Sequence, residues 1–195
     1  IQEFVAALAQ FLTPAQPILT PPNLTPLLEE AHNNRDGRFQ IFLRFLIGLS
    51  APHTKVQLQE VLGTFPTEIS HQVIDWMKKR FENIDKKTNI SGYPEKRRDL
   101  LNMFHYLFES QNAPLMKDTI GSLKEINLSN FTLNPVDCTV VAAGLETCEV
   151  VEQINLDNCY CQTEGVQRLV SVLHKCESLR LGNNNLGDCG VKRLC

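Results

Sequence analysis

The apolar positions in the last third of the chain follow one pattern written three times. Leu123-x-x-Ile126-x-Leu128-x-x-Phe131-x-Leu133 recurs as Val151-x-x-Ile154-x-Leu156-x-x-Cys159-x-Cys161, and again as Cys176-x-x-Leu179-x-Leu181-x-x-Asn184-x-Leu186. Successive copies begin 28 and then 25 residues apart. Each is followed at helical spacing by Asp137-Cys138-x-x-Val141, Gly165-Val166-x-x-Leu169 or Gly190-Val191-x-x-Leu194. A period-two apolar run presents one face of a strand to a core, and the helix after it covers that core from the other side. One such unit cannot bury its own apolar face, so the units must stack, which predicts a curved solenoid of β-α units starting at about Ser122.

Period and template are those of a leucine-rich repeat. At the ninth template position the chain leaves the strand, and the side chain there must satisfy buried backbone groups. Asn184 can donate and accept at that point. Cys159 is a smaller, weakly bonding substitute, and Phe131 cannot hydrogen-bond at all, as expected of an atypical terminal unit. The outward strand positions are free for other work: Lys124, Glu125, Asn127 and Ser129, then Glu152, Gln153, Asn155 and Asp157, then Glu177, Ser178, Arg180 and Gly182. They are expected to line a concave face, on which Asn127, Ser129, Asn155, Asp157 and Arg180 are the candidate partner-binding residues.

Before the repeats, residues 1–121 read as an all-helical domain, so the fold class is α+β overall: helices, then a short solenoid over 122–195. Ile1, Phe4, Val5, Leu8, Phe11 and Leu12 make an apolar helical stripe that opens without a start signal, the mark of a chain cut from a longer one. Thr13 to Pro26 holds five of the ten prolines and predicts an irregular connector. Thr25-Pro26 reads as an N-cap with proline at the first helical position, opening a helix to about His32. Arg38 to Leu49 is apolar nearly all round, which predicts a helix buried within a bundle. Arg44 inside it is expected to pair with a carboxylate or to snorkel. Further helices are predicted over Lys55 to Leu62, Thr67 to about Ile84 with Trp76 in the core, and Pro94 to Ser110. Pro114 to Gly121 is a last short turn. The triplets Lys78-Lys79-Arg80 and Lys96-Arg97-Arg98 read as exposed helix faces. The third repeat's helix is incomplete at Cys195.

Composition narrows the function. The net charge is −3 over 195 residues, and no basic footprint for nucleic acid is present. No apolar run approaches the roughly 20 residues that span a bilayer. All seven cysteines lie from Cys138 onward. Cys159, Cys161 and Cys176 with His174 could suggest zinc ligands, but Cys138, Cys159, Cys161 and Cys176 occupy apolar template positions, where cysteine is a small buried hydrophobe. Reduced thiols and a cytoplasmic setting follow, with no metal and no disulfide framework. His174 beside Cys176 is the one candidate nucleophile and base pair, by proximity alone.

Several stretches carry a family resemblance. Ile1-Gln2-Glu3-Phe4-Val5-Ala6-Ala7-Leu8 resembles the S-x-Q-E-F-x-A-A segment after the winged-helix domain of NACHT-containing NOD-like receptors. Phe39-Gln40-Ile41-Phe42-Leu43-Arg44-Phe45-Leu46-Ile47-Gly48-Leu49-Ser50 looks like the L-F-L-R-F-L-x-G-L-S run of their second helical domain, especially in the large fish group. Asn102-Met103-Phe104-His105-Tyr106-Leu107-Phe108-Glu109 is similar to the later N-L-F-H-C-L-x-E segment, and the repeats are of the ribonuclease-inhibitor type. The resemblance implies the regulatory and recognition part of an intracellular innate-immune receptor, acting by protein contacts and possible oligomerisation of the full-length receptor. ATP or ADP would be held only by an upstream NACHT module, since no G-x-x-x-x-G-K-[ST] occurs here. The alternative is a stand-alone inhibitor or scaffold resembling ribonuclease inhibitor.

Overall fold

Helix starts in this chain are written in short polar side chains and proline. The computed structural model describes residues 23–34, 36–54, 56–57, 67–85 and 94–194. The expected helix over 1–12, the proline-rich connector up to residue 22, and Lys55 with residues 58–62 of the helix expected there lie outside the described residues. The chain divides into two compact units, one of residues 1–80 with 109–112, the other of 81–108 with 113–195.

In the first unit, α1 (Thr25–Asn33) begins on Thr25 itself, one residue before the start read from the sequence. Thr25 is not the cap: the Asn23 side chain accepts from its amide at 3.1 Å. α2 (Gly37–Leu49) is capped by Asp36, which accepts from the Arg38 amide at 3.0 Å. Leu43, Leu46 and Ile47 form its buried stripe, but Ile41 and Phe45 remain 68% and 54% exposed. The expectation of a helix buried all round is therefore corrected. Apolar content measures how much surface seeks cover, not how many neighbours surround it. Arg44 is half-buried, and its Nε is buried without a hydrogen-bond partner.

α3 (Thr67–Asp85) contributes Ile69, Val73, Trp76 and Met77 to that unit's core. Trp76 is buried as expected. Its indole N–H donates to Glu29 at 2.7 Å, Arg80 bridges the same carboxylate at 2.9 Å, and the His32 ring meets the indole edge-on at 5.8 Å. Burying one such side chain is worth about 1.5–3 kcal/mol, and the shared carboxylate fixes α1 against α3.

The second unit contains α4 (Pro94–Ser110) up to Phe108, α5 (Ala113–Asp118), a 3₁₀ turn at Ile120–Ser122, and then β1 (Glu125–Asn127), α6 (Pro135–Glu146), β2 (Val151–Asn155), α7 (Gln162–Leu173), β3 (Cys176–Arg180) and α8 (Gly187–Leu194). The strands form one parallel sheet in the order β1-β2-β3, with Ile126 opposite Ile154 and Ile154 opposite Leu179. That is the register the sequence pattern requires. Ile126, Leu128, Ile154 and Leu156 are buried on the sheet side, and Cys138, Val141, Val166 and Leu169 on the helix side.

The repeat template starts at Leu123, yet this unit reaches back to Phe81, because α4 packs on the first repeat's helix. A Cβ on Gly144 would overlap the Phe104 ring. His105 Nε2 lies 2.7 Å from the Asp137 carboxylate, both buried. Asp137 and Asn134 also close a capping box: the Asn134 side chain accepts from the Val136 and Asp137 amides, and Asp137 accepts from the Asn134 amide at 2.9 Å. Such a cap is worth about 1 kcal/mol, and here it is tied to α4 as well.

Candidate functional site

Past the strands, the repeats stay in step through their turns. The amides of Leu128 and Asn130 donate to Asn155 and Asp157 carbonyls, and those of Leu156 and Asn158 donate to Arg180 and Gly182 carbonyls, all at 2.8–2.9 Å. The turn residues Asn130, Asn158 and Asn183 have φ of 63°, 58° and 56°, a left-handed conformation that asparagine tolerates well. Their side chains form a ladder: Asn183 Nδ2 donates to Asn158 Oδ1 at 2.7 Å, and Asn158 Nδ2 to Asn130 Oδ1 at 3.0 Å.

Asn184 does what its position demands. Buried beneath the turn, its Nδ2 donates to the Leu156 and Leu181 carbonyls, each at 2.8 Å, and its Oδ1 accepts from the Cys161 amide at 3.2 Å. Cys159 is the weaker equivalent, its Sγ donating to the Leu128 carbonyl at 3.1 Å. Leu128 and Leu156 are corresponding residues of successive units.

Of the five candidate contact residues, two turn back on the chain. Asn127 accepts from the Ser129 amide and Asn155 from the Asp157 amide, each at 3.0 Å, closing local Asx turns. Ser129 is only 6% exposed, so its expected place on an open face is corrected: the chain is already turning inward there. Asp157 is half-buried and bridges two neighbours in the third unit, accepting from the Gly182 amide at 2.8 Å and pairing with Arg180 NH2 at 2.8 Å. A Cβ on Gly182 would sit 3.0 Å from the Asp157 carboxylate, so glycine leaves that oxygen its path to the amide. Arg180 stays exposed, as do Glu125, Glu152 and Glu177 on the strands and Lys124 just before β1.

Three buried thiols, Cys148, Cys159 and Cys161, have raised pKa values. Cys161 is pushed up to about 12, first by its hydrogen bond to the Cys138 thiol and then by burial. Cys159 is raised by its hydrogen bond to Cys161 and by burial, and burial raises Cys148. Cys176 is half-buried and spends its S–H on the Ser178 carbonyl at 2.8 Å, with no hydrogen bond to His174. Among the described residues, no group of three or more His, Cys, Asp or Glu side chains is placed to hold a metal. A cleft of about 410 Å³ lies near the start of the repeats, but its charged lining, Lys117, Asp118, Lys124 and Glu149, is exposed and of mixed sign.

Two connections escaped the sequence reading. One is the His105–Asp137 pair. The other is Lys175, whose Nζ donates to the Glu146 and Cys148 carbonyls at 2.6 and 3.0 Å, satisfying the end of α6 from the next unit. Arg97 is also corrected: expected on an exposed face, it is 8% exposed, because helical spacing places it on the same stripe as Leu100 and Phe104.

Residues 1–118 match the family described as NLRC4 helical domain HD2. NLR family member X1 of Rattus norvegicus is 27% identical over 160 residues, which is 82% of this chain and 16% of that protein. A Danio rerio NACHT, LRR and PYD domains-containing protein 1 homolog is 26% identical over 149 residues, 76% of this chain and 11% of the relative. The Sus scrofa ribonuclease inhibitor is 33% identical over 79 residues, covering 38% of this chain and 17% of the inhibitor. No helix among the described residues is long and apolar enough to cross a membrane.

Proposed function

The chain belongs to the NOD-like receptor family, and we propose that it is a regulatory and recognition segment of a cytoplasmic innate-immune receptor, restraining the resting state or sensing a partner through protein contacts. The strands would form the concave side of a ribonuclease-inhibitor-type solenoid. Any partner, whether another module of the same receptor or a separate protein, would meet that side. Supporting this reading, the hydrogen-bond ladder fixes the strand face while leaving Arg180, Glu152 and Glu177 exposed upon it. Charges on a rigid frame lose little entropy when they meet a partner. A binding role, not catalysis, fits the raised pKa values of Cys148, Cys159 and Cys161, and no cofactor is expected in this segment; ATP or ADP would belong to a NACHT module elsewhere in the receptor.

Asp157 has too many structural duties to serve as a clean probe, so the test falls on its neighbours. Glu152→Lys and Glu177→Lys, introduced separately into the full-length receptor, should change autoactivity or partner binding by about threefold or more while leaving the melting temperature in place, since an exposed charge contact is worth about 0.2–1 kcal/mol and reversal adds repulsion. Unchanged autoactivity together with unchanged binding would remove the strand face from the mechanism.

A second reading, a stand-alone inhibitor or scaffold, draws on the 33% identity to ribonuclease inhibitor over 79 residues. A nucleotide-binding module in the same transcript would decide for the first.

A further inference from the structure

We draw no further inference here: the strongest candidate, the apolar face of the third repeat, where Leu179 and Val191 are exposed although their counterparts Ile154 and Val166 are buried, carries nothing because nothing in the structure shows what covers it.

Discussion

A single side chain, Asn184, bonds four backbone groups where the third repeat meets the second: the Cys161 amide and the Leu156, Leu181 and Gly182 carbonyls. The first two of these would otherwise be buried and unpaired. Each such orphan costs about 1–3 kcal/mol. Asn184→Ala should therefore lower the unfolding free energy by about 2–4 kcal/mol, read as a shifted midpoint at unchanged slope in a urea titration. Asn184→Cys should recover part of the loss, because Cys159 already makes the equivalent bond in the unit before. Equal losses for the two variants would show that hydrogen bonding is not what this position supplies. The thiols give a second residue-scale expectation. Alkylation proceeds through the thiolate, and a raised pKa means that near neutral pH almost none is present at Cys159 or Cys161. Exposed Cys189 should be labelled first, with Cys159 and Cys161 protected until the chain unfolds, as peptide mass spectrometry would resolve. Early labelling of Cys161 would revive a chemical role for the cluster. The ninth-position requirement was legible because it follows from backbone accounting. The fate of Asn127 and Asn155 was less so, since an outward strand position does not say that the side chain folds back on the amide two residues ahead. Asparagine at a strand end just before a turn was the available signal.

At the scale of elements, long amphipathic stretches were read well and their surroundings poorly. The helix predicted from Pro94 to Ser110 is α4 to the residue. Nothing in its spacing, however, says that Phe104 meets Gly144 or that His105 meets Asp137, because contacts between elements far apart in sequence leave no periodic trace. The same limit explains α2: its composition was apolar nearly all round, yet Leu43, Leu46 and Ile47 are fully buried while Ile41 and Phe45 stay exposed. Gly144 tests the α4–α6 contact. Gly144→Ala, normally favourable inside a helix by about 0.5–1 kcal/mol, should instead destabilise by about 1–3 kcal/mol, as the new methyl enters space held by the Phe104 ring. Adding Phe104→Leu should return part of that loss in a double-mutant cycle. Additive effects would mean that the two helices do not share this contact.

For the molecule as a whole, stacked units are stabilised by their neighbours, so protection should grade along the stack. Within the unit formed by residues 81–108 and 113–195, the middle repeat has cover on both sides: α4 and the first repeat on one, the third repeat on the other. The third repeat leaves Leu179 at 36% and Val191 at 51% exposure. Native-state hydrogen exchange should therefore find the amides of α4 between Leu100 and Leu107 opening together with those of β2. The β3 and α8 amides should open at a free energy lower by at least about 1 kcal/mol. Arg180 lies on β3, so a partner that docks there would stabilise the third repeat by mass action in proportion to its occupancy. Equal protection of β2 and β3 would contradict the stacking account, and α4 exchanging well before β2 would separate the helical segment from the repeats that its Phe104 and His105 tie together.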